Sequence, residues 1–142
     1  MTDGPRDRLQ IAGSRPELIR RARIGDLLPR DMIDFGRARR LDATAFLLPG
    51  ASVLDGYPAR LESARDDFAA WDGRVVVMAA DGATDHRVLI VDRYGQVYEA
   101  IDVRDASSLP GVAALEEWFK FLATACPECG VLDDPIGRGW TP

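Results

Sequence analysis

Residues 43–50, ATAFLLPG, and residues 73–80, GRVVVMAA, decide how this chain folds. Each is a short apolar run rich in residues suited to a pleated, two-sided interior, and each is stopped by a turn or polar signal. Thr44 to Leu48 reads as a buried strand that Pro49-Gly50 terminates. Val75 to Ala80 reads as a second, opened by Arg74 and without polar alternation, the signature of a central parallel strand. Between them Leu61, Ala64, Phe68 and Trp71 recur at i, i+3, i+7 and i+10, one apolar stripe on a helix. Pro58 suits that helix's first turn and Gly73 its C-terminal cap. Ala43 to Ala80 is therefore expected to be a strand–helix–strand unit.

Outward from this unit the pattern changes. Val88 to Val91 and Val97 to Val103 flank Asp92-Arg93-Tyr94-Gly95, a hairpin whose glycine can take positive φ. A last helix is expected from Ser107 or Ser108, with Pro110 in its first turn, ending at Pro127. Its stripe is Val112, Leu115, Phe119, Leu122 and Cys126, while Trp118, Phe121 and Ala125 widen the apolar arc beyond what one sheet needs. Upstream, Arg15 to Arg40 is helical in patches broken by Gly25, Pro29 and Gly36. The division expected is an N-terminal segment at 1–14, flexible or with an edge strand at Leu9–Ala12, one domain at 15–130, and a tail at 131–142.

Composition bounds the function. The 142 residues are 46% hydrophobic and 29% charged, which suits one globular domain with a core of its own. The longest apolar run is Val75 to Ala80, far short of a membrane span, and the first residues carry no secretory pattern, so a cytoplasmic protein is expected. A net charge of −5 argues against a nucleic-acid partner, and Arg20, Arg21 and Arg23 read as a solvated face offset by Asp26, Asp31 and Asp34.

A strand–helix–strand unit, a hairpin and a C-terminal helix is the order of the thioredoxin fold, a mixed central sheet flanked by helices. Leu89-Ile90-Val91-Asp92-Arg93-Tyr94-Gly95-Gln96-Val97 resembles the redoxin, or peroxiredoxin-like (AhpC/TSA-type), hairpin, and Gly25-Asp26-Leu27-Leu28-Pro29 is similar to the opening Gly-Asp-x-x-Pro of that family. The resemblance spans roughly residues 24 to 126 and implies a catalytic cysteine just after the first strand, where a helix N-terminus lowers its pKa. Here Gly50 to Tyr57 holds none, and Thr84-Asp85-His86 replaces the proline expected before the hairpin. Ser52 is no substitute, because a hydroxyl needs a neighbouring base. The link Asp81–Arg87 is too short for a helix, but it suffices if the strands it joins are antiparallel, with the first strand between them. It then crosses the vacant cysteine position.

Chemistry falls to Cys126-Pro127-Glu128-Cys129-Gly130, for which three readings are open. One is a reversible dithiol, catalytic or redox-sensing, acting on a protein redox partner with no cofactor. Another is a zinc knuckle, completed by a second copy of the chain or by His86. The last is a purely structural pair. His86 itself reads as a loop residue, and Asp81, Asp85 and Asp92 as turn residues. Trp118 and Phe121 suggest a homodimer through the last helix, unless the segment before Arg40 folds back over them.

Overall fold

The computed structural model describes residues 15–34 and 43–124. The expected features at 1–14, the cysteine pair and the tail at 131–142 lie outside the described residues. Four strands, β1 (Ala43–Leu48), β2 (Gly73–Val77), β3 (His86–Val91) and β4 (Val97–Val103), form one mixed sheet in the order β2-β1-β3-β4. β2 runs parallel to β1, and β3 and β4 are each antiparallel to the strand before them in that order. The protein is thus mixed α/β, with β1 between the two strands that the short link joins.

All six residues of β1 are buried, which explains its unbroken apolar sequence. Ala43, Ala45 and Leu47 face one core with Leu61, Phe68, Val88, Leu115 and Phe119. Phe46 and Leu48 face the other, with Ile19, Met32, Ile33, Leu89 and Val91. The first core is roofed by α3 (Tyr57–Ser63), α4 (Arg65–Ala69) and α5 (Val112–Thr124), the second by α1 (Pro16–Arg21) and α2 (Arg30–Asp34). Among the described residues no helix is long and apolar enough to cross a membrane.

The boundaries differ from expectation in instructive places. The single helix expected after Pro58 breaks at Ala64, yet Leu61, Ala64 and Phe68 stay buried, so the stripe is kept across the joint. Gly73 caps nothing. Asp72 takes the left-handed turn (φ 58°), and Gly73 opens β2 because the ring of Phe119 lies where its Cβ would be. The second strand stops at Val77, where the chain leaves to cross the end of β1. Leu109, held extended by the following proline, separates a short 3₁₀ turn at Ala106–Ser108 from α5, so Pro110 precedes that helix. Asp105 caps the 3₁₀ turn by accepting from the Ser107 N–H.

Arg87 ties the two layers together. Its guanidinium is buried and donates to the carbonyls of Ile19 (2.7 Å) and Ala22 (2.6 Å) at the end of α1, and to Asp102 on β4 (2.9 Å). A cation at a helix C-terminus also meets the negative end of the helix dipole. Arg87→Ala strands two carbonyls and one carboxylate, and the expected loss of stability is about 3 kcal/mol. Urea unfolding monitored by circular dichroism measures it. Asp102→Asn, at a half-exposed carboxylate, costs less.

Candidate functional site

The link between β2 and β3 does pass over the end of β1, and it closes the corner there. The Ala51 N–H donates to the Thr84 carbonyl (3.2 Å), and the Gly50 N–H donates to Nδ1 of His86 (2.8 Å). A Cβ at Gly50 would overlap the Asp85 carbonyl and the Thr84 oxygen, so only glycine fits this close approach. Arg20 clamps the link from the other side. It makes a two-pronged pair with Asp81 (3.0 and 2.8 Å) and donates to the Asp85 carbonyl (2.9 Å). Arg20 is therefore engaged rather than part of a solvated basic face.

His86 is the residue that sequence reading misplaced. It is the first residue of β3, opposite Val103, and is fully buried. Its Nδ1 accepts a hydrogen bond, so the neutral ring carries its proton on Nε2, which finds no partner among the described residues. The signal was present in the period-2 pattern. His86, Val88 and Ile90 share one strand face, so the alternation carries past Arg87 back to the histidine.

The other candidates are structural. The Ser52 hydroxyl donates to the Arg104 carbonyl (3.0 Å), which leaves it with no base. The Tyr57 hydroxyl donates to the Pro110 carbonyl (2.7 Å), and burial pushes its pKa far up despite nearby Arg60. Asp92 accepts from the Tyr94 and Gln96 N–H groups (both 2.9 Å) in the hairpin turn, as expected of a turn aspartate. Burial raises its pKa against those hydrogen bonds. Asp85 pairs with Arg104 (3.5 Å). Among the described residues no group of three His, Cys, Asp or Glu is placed to hold a metal.

The last helix points away from this corner. α5 begins beside Pro110, where Tyr57 bonds, and Phe119 reaches Gly73 and Phe121 reaches Tyr98 at the opposite end of the sheet. Thr124, two residues before Cys126, therefore lies about a strand length from His86. The described chain does not bring His86 and the end of α5 together. Near that end, Ala114, Glu117, Trp118 and Phe121 line an open apolar cleft of about 360 Å³. Comparison with family models, with curated proteins and with solved structures finds no match to this chain.

The Arg20 clamp makes acid sensitivity testable. Hydrogen bonding to Arg20 holds the Asp81 carboxyl below its ordinary value near 4, so its contribution is full above that value and fades as the pH falls through the lower folded value. Asp81→Asn is expected to cost about 1 kcal/mol at pH 7, with the gap to wild type closing below about pH 4. Denaturant unfolding across a pH series checks both the size and the slope.

Proposed function

We propose that this chain is a thioredoxin-like domain of the redoxin type whose thiol chemistry has left the usual corner. A thiol–disulfide or redox-sensing role then rests on Cys126 and Cys129, the only cysteines in the sequence. The strand order supports the fold reading, as does the meeting of the two redoxin-like segments. The Gly25 N–H donates to the Val97 carbonyl (2.8 Å), the Val97 N–H to that of Asp26 (2.9 Å), and the Leu28 N–H to that of Gly95 (2.9 Å). The observation that carries the functional reading is the closed corner. Gly50 has neither a thiol nor space for one, and the chain's own link covers it.

The reaction is disulfide exchange with a protein partner. One cysteine attacks a partner disulfide as thiolate and expels one partner sulfur, and the other cysteine then attacks the mixed disulfide. Two electrons pass to the partner, whose disulfide becomes two thiols, and Cys126 and Cys129 become a disulfide. No cofactor enters, and a reducing cytoplasm is the setting in which such a pair cycles.

Protein purified without added zinc is expected to contain no metal and to show two thiols that titrate together in a dithiothreitol redox series. Each single Cys→Ser variant is expected to trap a mixed disulfide with a small-molecule disulfide. One zinc per two chains would replace this reading with a Cys₄ knuckle shared by a dimer, and two thiols that never pair would leave the motif structural. Peroxide turnover is expected to be absent. Thiol-dependent turnover that survives in the Cys126→Ser/Cys129→Ser double variant would place the chemistry elsewhere.

A further inference from the structure

An aspartate followed by glycine can rewrite its own main chain, because glycine has no Cβ to shield the nitrogen that the aspartate carboxyl can reach. The sequence holds four such steps, at Asp3, Asp55, Asp72 and Asp81, and no asparagine that could close the same ring by losing ammonia. The last three lie among the described residues, and the fold treats them differently. Asp81 has both carboxylate oxygens on the Arg20 guanidinium, and one of them also accepts from the Ala83 N–H (3.2 Å). It is held ionised and is not free to turn toward Gly82. Asp72 accepts from the Ala43 N–H through its carbonyl (2.8 Å), and Gly73 is buried in β2 under the Phe119 ring, which leaves the main chain no room to bend.

Asp55 and Gly56 are both exposed. They are the central pair of a tight turn closed by the Tyr57 N–H on the Leu54 carbonyl (2.9 Å), and both have positive φ (53° and 78°). Among the described residues nothing bonds the Asp55 carboxylate or the Gly56 N–H. Arg60 folds back over the turn. Its Nη1 donates to the Asp55 main-chain carbonyl (3.0 Å) and is the only heavy atom within 4 Å of where a Gly56 Cβ would stand.

We propose that Asp55-Gly56 is a site of spontaneous isoaspartate formation, and that Arg60 directs the ring opening toward the isoaspartyl product. The Gly56 nitrogen attacks Cγ of the neutral Asp55 carboxyl, its proton leaves with the carboxyl hydroxyl as water, and a five-membered imide closes. A second water then adds to one imide carbonyl and breaks that carbon's bond to nitrogen, which takes back a proton. Addition at Cγ restores aspartate. Addition at the main-chain carbonyl gives isoaspartate, with no net change in mass or oxidation state. Arg60 holds the oxygen of that main-chain carbonyl, so it polarises the carbon whose attack gives isoaspartate. The same contact then becomes an ion pair, because the freed carboxylate keeps that oxygen.

The added methylene enters the chain one residue before α3. The turn must lengthen, and the buried Tyr57, with its bond to the Pro110 carbonyl (2.7 Å), is the next group to feel it. No thiol takes part, so the inference is independent of the reading of Cys126 and Cys129.

The test is peptide mapping of the full chain after warm incubation at about pH 5, where exposed carboxyls are partly neutral. Heavy-oxygen water marks every imide that opens, and electron-transfer fragmentation separates isoaspartate from aspartate. Isoaspartate is expected to form at Asp55 at least about 10-fold faster than at Asp72 or Asp81. In urea the three sites are expected to age alike. Arg60→Ala is expected to lower the isoaspartate share of the label at Asp55. The wild-type comparison stands whether or not that variant folds. A folded chain in which the three sites age alike, or in which Asp72 or Asp81 leads, overturns the site. So does a preference that persists in urea, because it then belongs to the peptide and not to the fold. An unchanged isoaspartate share in folded Arg60→Ala overturns the role of Arg60.

Discussion

The chain must return from β2 to β3 in eight residues, 78–85, while β1 lies between the two strands. That requirement shapes the rest of the molecule. A parallel return is out of reach, so β3 runs antiparallel and the link passes over the end of β1. The crossing puts backbone on backbone at Gly50, turns His86 inward, and leaves Asp81 and Asp85 where Arg20 can hold them. A corner that a helix and a thiol could have used is instead filled with peptide groups. These bond to one another, and the Ser52 hydroxyl there donates to the Arg104 carbonyl.

Most of the architecture was legible in the sequence because it rests on periodicity. The apolar runs gave the strands, the hairpin turn was visible in Asp92 to Gly95, and the stripe from Leu61 to Phe68 survived even though its helix is two pieces. What escaped depends on partners far away in the chain. Nothing local marks Gly73 as a residue pressed by Phe119, or Arg87 as a buried cation whose acceptors lie some 65 residues upstream. His86 was hidden by its chemistry. A histidine next to Thr-Asp reads as loop, and only the Gly50 N–H explains why its ring can be taken inside. The cysteine pair, the one motif with recognisable chemistry, lies outside the described residues, so its reading still rests on the sequence.

The two ends of the sheet thus carry different properties. One end is sealed by polar contacts between the link, Arg20 and Arg104. The other holds the exposed Phe121 ring on α5, edge-on to Tyr98 and Trp118. The β4 edge offers less. The Glu99 carboxylate accepts from the Ala100 N–H (3.1 Å), and residues 25–28 bond the start of the strand, so strand addition by another chain is discouraged there.

The Arg87 contacts have a consequence for the order of assembly. α1 is six residues long, too short to persist alone in water, and its terminal carbonyls are satisfied by a side chain that belongs to β3. The guanidinium is aimed only once β3 has paired with β4, because Asp102 holds its other edge. The hairpin is a local structure that closes early, whereas α1 must wait for it across a long loop. Among the described elements α1 is therefore one of the last to settle. As a ribosome releases the chain, the α1 segment emerges long before the strand that holds it in place.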